Sequence, residues 1–488
     1  MDNIGRSQRL TLRIAGVVAA LSFAVALPLI LDAGFHADDF LLFPREQESW
    51  GSAVASYLSG HDPEATHYYR PGCRVVQQTL QTGFGTNAVV FHAWNLLLHL
   101  VTVYVLYRLA QSISGDKVVA WIASAIFLIH PAHDEPVMWI TGISGLTDSL
   151  FHLIGLLAFD SYLKGNRRSY GWLVPVCFLI AVSHKESATS MLLTLPLLWW
   201  YRGHRRGQLW PIAAVAILTV ALSIWRGIIG VDSSAAWQNL TFNPLAWVRT
   251  VVFYLLQFLL PVRSFFRAIG FDNYYIWRDA MPVVPGTVVY GIGIAVVGVL
   301  SLILGVRLWR RFPRETKLGI GLAMLAIAPL LISRYTALRL LYLSSALLSL
   351  ALAAFIRQRM RRAAMAWAFA GWIAVMSISW VERSTAWNEA GERNQIILRE
   401  AVRARKQTPE NTAAVYLDVP RRHLGAFLFP GAFAEAVGWE TRMPPGFIFD
   451  YDNAYTDRAQ IPTSRMWYRW NGERFEEVTE PDDRGANP

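Results

Sequence analysis

The sequence predicts a polytopic all-α membrane protein of about 11 transmembrane helices, followed by a small C-terminal α+β domain. Three observations support this fold class. Hydrophobic residues make up 54% of the 488 residues and charged residues only 16%, whereas soluble domains carry about 25% charge. The chain holds 20 Trp and 18 Tyr, whose rings favour membrane interfaces. Short basic runs separate the apolar stretches, and only the region from about residue 382 has an ordinary soluble composition.

The basic runs predict the topology, because cytoplasmic loops are enriched in Lys and Arg. Arg6, Arg9 and Arg13 precede an apolar run at 10–31, which we interpret as a retained first helix with a cytoplasmic N-terminus. The other predicted spans cover residues 88–110, 118–131, 146–163, 170–184, 187–201, 209–228, 283–306, 318–333, 337–356 and 363–381.

Residues 245–261 are also apolar enough to span the membrane. A span there would place the basic runs 307–317 and 357–362 on the outer side, against the usual charge bias. We therefore predict a re-entrant or interfacial helix at 245–261, which leaves the C-terminus outside.

Two domains follow from this topology. Residues 1–381 form the transmembrane domain, with a first outer loop at 32–87 whose seven acids and three Arg give a net charge of −4. Residues 382–488 form the α+β domain on the outer face. This tail opens with a helical pattern, ERNQIILREAVRARK, and continues with the strand-like runs AAVYLDV, FIFDYD and RMWYRW.

The first candidate site feature is the adjacent acid pair Asp38 and Asp39 in GFHADDFLLF. Two carboxylates at a membrane boundary lose hydration and repel each other, so such a pair suits cation binding, substrate hydrogen bonding or a shared proton. A carboxylate of raised pKa is also what a general base needs. A solvated helix cap in an acidic loop is the structural alternative.

The second feature is the cluster His130, His133, Asp134 and Glu135 in FLIHPAHDEPVMWI. A His-x-x-His pair followed by an acid can bind a metal, and an interfacial, hydrogen-bonded polar cluster is the alternative. A divalent metal therefore stays an open cofactor hypothesis, with no ligand set assigned.

The third feature is a group of cations at the predicted outer ends of the spans, where the positive-inside bias disfavours them. The residues are Tyr69 and Arg70, Lys185 and Glu186, and Arg334 and Arg339. Acidic neighbours such as Glu186 could pair with these cations. An anionic lipid headgroup is the alternative partner.

A site on the outer face limits the substrate class, because nucleotide sugars and ATP are cytosolic. A bond-forming enzyme on that side needs an activated donor that crosses the membrane, such as a polyprenyl-phosphate-linked sugar. Cations would stabilise its phosphate leaving group, and a carboxylate could deprotonate an acceptor hydroxyl.

The chain resembles membrane glycosyltransferases of the GT-C superfamily, and among them bacterial relatives of the transmembrane, tetratricopeptide-carrying O-mannosyltransferases. The matching stretches are Asp38 and Asp39, YRPG at 69–72, FHAWNLLLHLVTVYVLYRL at 91–109, AIFLIHPAHDEPVMWITG at 125–142, SHKESATSMLLTLPLL at 183–198 and RLLYLSS at 339–345.

The resemblance implies an inverting transfer from a polyprenyl-phosphate sugar to a glycan, lipid or protein acceptor, at a bacterial inner (plasma) membrane. By position, Asp38 or Asp39 would be the catalytic base. Cations would bind the donor phosphate, and other polar residues would line the cavity. The implied phosphate ligands are Arg70, Lys185 and Arg339, and the implied lining residues are Tyr69, His130, His133, Glu135 and Glu186.

The chain also departs from the family pattern. After Trp139, many relatives carry Gly-Arg followed by an acid and leucines, whereas here Ile143 follows Gly142 and Gly145 takes the place of the acid. A small tail replaces the tetratricopeptide array, so the sugar and the acceptor stay open. A transporter or flippase of a lipid-linked or anionic substrate is the alternative function, although many transporters have repeated halves and the sequence shows none.

Overall fold

The computed structural model describes residues 6–41, 49–60, 69–203, 208–229, 242–259, 309–331, 337–359, 363–424, 426–429, 432–443, 446–452 and 458–480. The predicted span at 283–306 and the candidate cation Arg334 lie outside the described residues.

The described part of the chain is mostly helical, as predicted. Its α-helices are α1 (Arg6–Leu31), α2 (Trp50–Ser59), α3 (Pro71–Phe84), α4 (Ala88–Ser114), α5 (Lys117–Leu128), α6 (Asp134–Met138), α7 (Ile143–Leu163), α8 (Ser169–His184), α9 (Met191–Tyr201), α10 (Trp210–Ile228), α11 (Pro244–Leu259), α12 (Arg314–Leu331), α13 (Tyr342–Arg359), α14 (Ala363–Gln407) and α15 (Phe433–Thr441).

Five helical stretches of the described residues are long and apolar enough to cross a membrane: Leu10–Leu31, Ala88–Ser114, Ile140–Leu163, Trp210–Ile228 and Ala364–Gln407. Helices α5 and α8 are apolar but shorter. These five candidate spans support a polytopic membrane protein, while the count of 11 spans and the sidedness stay predictions. Helix α11 has 16 residues, fewer than the roughly 20 of a typical span, and its re-entrant placement also stays a prediction.

The connection between α4 and α5 shows how local sequence sets the helix ends. Gly115 closes α4 in the left-handed conformation, with φ +69°. One residue later, the Asp116 carboxylate accepts a 2.7 Å hydrogen bond from the Val118 amide and so caps α5. This two-residue connection makes α4 and α5 adjacent and oppositely directed.

Helix α14 joins the membrane bundle to the C-terminal domain without interruption. Its 45 residues contain no proline, so the pattern at 363–381 and the pattern ERNQIILREAVRARK belong to one helix. It packs along α1, and Gly391 permits a close approach to the backbone just after α1. A Cβ at this position would lie 1.7 Å from the Ala33 carbonyl oxygen.

The C-terminal domain contains a four-stranded sheet in the order β4-β1-β5-β6, as predicted in outline from the sequence. The strands are β1 (Ala413–Leu417), β2 (Arg422–His423), β3 (Ala426–Phe427), β4 (Ile448–Asp450), β5 (Arg465–Trp470) and β6 (Phe475–Val478). Strand β1 pairs in parallel with β4 and β5, β5 and β6 are antiparallel, and β2 and β3 form a separate hairpin. All five residues of β1 are buried, as expected for a central parallel strand.

This domain also contacts the loop that follows α1. The Ala37 amide donates a 2.8 Å hydrogen bond to the Leu428 carbonyl, and α15 packs on the short 3₁₀ turn Ala37–Leu41. We call this end of the helical bundle the sheet-side end. It carries the acid pair predicted from the sequence.

Candidate functional site

Short 3₁₀ turns between long helices bring the candidate residues together at the sheet-side end. One turn, Ala37–Leu41, carries the acid pair. A second, Ile140–Gly142, leads into α7, and a third, Leu338–Leu340, leads into α13. Proline interrupts the helical pattern after α5, since Pro131 has no amide proton and begins another turn. Polar side chains are therefore placed on turns that rigid helices hold.

Asp39 is fully buried and tied to its surroundings through both oxygens. Its Oδ2 accepts a 2.9 Å hydrogen bond from the His36 amide. Its Oδ1 accepts hydrogen bonds from the amide and the hydroxyl of Thr141, at 3.0 and 3.1 Å. Burial raises the pKa of Asp39 to about 8, although these hydrogen bonds oppose the shift. Asp39 therefore joins the turn at Ala37–Leu41 to the turn at Ile140–Gly142.

Asp38 has a different environment from its neighbour, because adjacent side chains in the turn point apart. It is partly exposed. Burial raises the pKa of Asp38, and the positive charge of Arg339 partly offsets the rise. The two predicted catalytic acids are thus distinct: Asp39 is held inside the fold, and Asp38 lies within the electrostatic influence of a candidate phosphate ligand.

Glu135 and Trp139 position Arg339. The Arg339 amide donates a 3.3 Å hydrogen bond to Glu135 Oε2, and its guanidinium Nη1 lies 3.6 Å from the same oxygen. The guanidinium also stacks over the Trp139 ring, 4.9 Å from the ring centroid. About a quarter of the Arg339 side chain stays exposed, against 6% of Glu135. Glu135 therefore holds the arginine, and the accessible charge belongs to Arg339.

Lys185 has an ammonium that no described residue engages directly. In the part of the chain that the structure describes, its ammonium makes no hydrogen bond or ion pair. The residue is only partly exposed, and burial lowers the pKa of Lys185 to about 8. Both Lys185 Nζ and the Arg339 carbonyl border the space beside Gly145, at 3.5 and 4.0 Å from the position of a Cβ. We call Asp38, Glu135, Lys185 and Arg339 the charged cluster.

The other predicted phosphate ligand, Arg70, is already paired. Its Nη2 and Nε donate to Glu186 Oε2 at 2.8 and 3.1 Å. Arg226 lies 3.6 Å from the same carboxylate, and it also donates to the Tyr69 carbonyl at 3.2 Å. Tyr69 in turn donates its hydroxyl to the Leu58 carbonyl. Glu186 thus neutralises Arg70, which is the pairing that the sequence offered as the structural alternative.

The two histidines lie in a buried network instead of facing open space. His130 Nδ1 accepts from the Ala132 amide at 3.2 Å, so its Nε2 donates to the Phe258 carbonyl at 3.1 Å. His133 Nε2 lies 2.7 Å from the Ser345 hydroxyl. Across the described ranges, no three His, Cys, Asp or Glu side chains converge as a metal site would require. With both nitrogens of His130 engaged, these contacts fit the hydrogen-bonded alternative.

Asp134 forms a buried ion pair that the sequence did not reveal. Its Oδ2 accepts from the Arg383 guanidinium and, at 3.0 Å, from the Trp387 indole. Both acceptor and guanidinium are nearly inaccessible. Arg383 and Trp387 are one turn apart on α14, so these contacts fasten α14 to the first residue of α6. The one sequence signal for this ion pair was the i, i+4 spacing of Arg383 and Trp387, which places them on one face of a helix. Both residues lie beyond the predicted span at 363–381.

Asp148 on α7 is a further acid that sequence reasoning missed. It is 2% exposed, and its Oδ2 accepts a 2.5 Å hydrogen bond from the Ser187 hydroxyl. The sequence comparison counted from Gly142 and found Gly145 in place of the expected acid. Counting from Gly145 instead reaches Asp148 three residues later, and this spacing was the available signal.

Parts of the chain are similar in sequence to known proteins. It is 34% identical to Protein O-mannosyl-transferase TMTC1 of Homo sapiens over 114 residues, covering 23% of this chain and 12% of the human protein. It is 25% identical to Protein O-mannosyl-transferase Tmtc1 of Drosophila melanogaster over 189 residues, or 37% and 22% of the two chains. Protein O-mannosyl-transferase F38B6.6 of Caenorhabditis elegans is 22% identical over 255 residues, or 51% and 33%. No protein-family model matches the chain.

These matches define the class of protein that the chain is similar to: membrane glycosyltransferases of GT-C type. More particularly, they confirm the resemblance to the transmembrane O-mannosyltransferases that the motifs indicated. The aligned part of the chain spans a third or less of the length of these three relatives.

Proposed function

We propose that the chain is an inverting glycosyltransferase that moves a sugar from a polyprenyl-phosphate donor to an acceptor hydroxyl. In this proposal the sheet-side end faces the outside of a bacterial inner membrane, with the N-terminus cytoplasmic and the C-terminal domain outside. One observation carries the proposal: a partly exposed carboxylate, Asp38, lies within the electrostatic influence of Arg339, and the Arg339 carbonyl and the Lys185 ammonium border the same space beside Gly145. The relatives named as mannosyltransferases support the reaction class.

The cations of the cluster suit a lipid phosphate. Lys185 supplies an ammonium whose protons are not engaged by described residues, and Arg339 supplies a guanidinium held by Glu135 and Trp139. Hydrogen bonds to an ionised phosphate are among the stronger ones in proteins. Arg70 contributes less, because Glu186 occupies two of its nitrogens. We therefore assign donor binding first to Lys185 and Arg339.

Asp38 is the better candidate for the catalytic base. It is partly exposed, and its raised pKa gives it useful basicity. Asp38 takes the proton of the acceptor hydroxyl while that oxygen attacks the anomeric carbon. The bond from this carbon to the phosphate oxygen breaks, and the polyprenyl phosphate leaves with the electron pair. A single displacement inverts the anomeric configuration. Asp39 supports this step by joining the turn to Thr141.

The acceptor and the sugar need separate tests. The relatives are named for transfer to proteins, so a serine or threonine hydroxyl of a protein is the first acceptor to test. Their mannose is the first sugar in a panel, and other polyprenyl-phosphate sugars follow.

The decisive experiment measures sugar transfer by the purified chain from radiolabelled polyprenyl-phosphate sugars to hydroxyl-containing acceptors, together with binding of the donor. Lys185→Ala should weaken donor binding ten- to a hundredfold, the loss expected of one charge-assisted contact. Lys317→Ala, in α12, is the matched control and should leave binding unchanged. If the parent chain moves the donor across vesicle membranes but never transfers sugar, the transporter hypothesis is the better one. If Lys185→Ala and Arg339→Ala both bind donor normally, the phosphate assignment is wrong.

A further inference from the structure

Asp148 and Lys185 form a pair of opposite charges that do not touch. One oxygen of Asp148, Oδ2, is held by the Ser187 hydroxyl. The other, Oδ1, is buried and has no hydrogen-bond partner in the part of the chain that the structure describes. Each charge acts electrostatically on the other, yet no ion pair joins them within 4.0 Å, so the Lys185 protons stay free.

The charges around Lys185 explain why Asp148 affects the protonation of the lysine. Among the described residues, the other charges that act on the ammonium are Arg70, Arg339 and Glu186. Glu186 is shared with Arg70 and Arg226. Two neighbouring guanidinium groups and burial both disfavour a charged lysine. Of Glu186 and Asp148, the two carboxylates that favour the charged lysine, Glu186 is paired with arginines, whereas Asp148 makes no ion pair with an arginine within the described ranges.

We propose that Asp148 is a positioning residue that keeps Lys185 protonated and directed into the space beside Gly145, where it meets the donor phosphate. This inference rests on the proposed function. Ser187 contributes as well, because its hydroxyl donates to Oδ2 and fixes the Asp148 carboxylate, which makes no ion pair with the ammonium within 4.0 Å. The negative charge then stabilises the lysine without occupying its hydrogen-bond donors, and those donors remain available to the phosphate.

The test compares Asp148→Asn in two backgrounds, the parent chain and Lys185→Arg. In the parent chain, Asp148→Asn should raise the KM for a polyprenyl-phosphate sugar about tenfold, with kcat less affected, and should shift the loss of donor binding to lower pH. Arginine stays charged without help, so Asp148→Asn in the Lys185→Arg background should change the KM less than twofold. An equal loss in both backgrounds would mean that Asp148 acts only on the fold, and the inference would be wrong.

Ser187→Ala gives a second test that removes only a hydroxyl, for use if Asp148→Asn cannot be purified. Without Ser187 the carboxylate can close on Lys185 and occupy its protons, so the donor KM should rise at least threefold. An unchanged KM contradicts the inference. Lys185→Ala and Arg339→Ala separate the two proposals: normal donor binding in both overturns the phosphate site of the proposed function, whereas weakened binding in Lys185→Ala with a normal Asp148→Asn overturns only the role of Asp148.

Discussion

Lys185 Nζ lies 3.5 Å from the position that a Cβ on Gly145 would occupy. A carboxylate placed at residue 145 should therefore pair with Lys185 and compete with the donor phosphate. We expect Gly145→Asp to weaken donor binding about tenfold or more, as for other charge-assisted contacts. Gly145→Asn has nearly the same shape without the charge and is the matched control. Titration of both variants with a polyprenyl-phosphate sugar compares them, and equal affinities would place the phosphate elsewhere.

Asp38→Asn should abolish the proposed base with little effect on the fold, because Asp38 is partly exposed. Turnover should fall by roughly 10²–10⁴, the usual loss for a general base, while donor binding persists. Single-turnover transfer from a lipid-linked sugar measures the loss at matched protein levels. Near-parental turnover would exclude Asp38 as the base, with Glu135 the next acid to test.

Asp39→Asn should instead affect stability. An amide in this position turns an NH₂ group toward a donor of either His36 or Thr141, and an unsatisfied buried donor costs about 1–3 kcal/mol. Tryptophan fluorescence during heating in detergent would report a lower unfolding midpoint than for Asp38→Asn.

The stability of the parent chain should also depend on the ionisation of Asp39. Burial raises the pKa of Asp39 to about 8, so its contribution to stability is full below about pH 4 and is lost as the pH rises through 8. The Asp39→Asn variant should lack this dependence of stability on pH.

Donor binding should depend on the protonation of Lys185. Burial lowers the pKa of Lys185 to about 8, an effect that Arg70 and Arg339 reinforce and that Asp148 and Glu186 oppose. Affinity for a phosphodiester donor, whose charge is constant in this range, should fall as the pH rises through about 8. In Lys185→Arg the fall should move to higher pH, since arginine does not deprotonate there. Binding isotherms between pH 6.5 and 9.5 test this, and identical profiles for both proteins would contradict it.

The buried pair between Asp134 and Arg383 gives a prediction about the fold alone. Arg383→Leu leaves the Asp134 carboxylate buried without its guanidinium, while the Trp387 indole still donates to it, and breaking a buried pair costs on the order of 3–5 kcal/mol. The double variant Asp134→Asn with Arg383→Leu removes both charges and should recover much of the loss. Thermal unfolding midpoints of the parent, the single variant and the double variant test this prediction. A single variant as stable as the parent would mean that the pair is energetically neutral.

The sequence predicted the helical membrane bundle and the C-terminal sheet because both leave regular patterns. A long apolar run marks helix α4, and the apolar run AAVYL marks the buried strand β1. The short strand β2 was not predicted, since two residues carry too little pattern. The continuity of α14 was missed because its composition changes from apolar to charged while its backbone does not change.

The candidate site was predictable in its residue types and less so in its pairings. The adjacency of Asp38 and Asp39 showed that they could not share one environment, yet only the fold brings Thr141 to Asp39. Likewise, Arg70 and Lys185 looked equivalent as cations at helix ends. The position of Glu186 beside Arg70 distinguishes them, and that contact joins residues 116 positions apart in sequence.

The continuous helix α14 also has a mechanical consequence. At about 1.5 Å per residue, its 45 residues form a rod of roughly 65 Å. A tilt of one degree about one end of this helix therefore displaces its other end by about 1 Å. Lateral pressure or thinning of the surrounding lipid would thus be transmitted directly to the end of the rod that leads into β1.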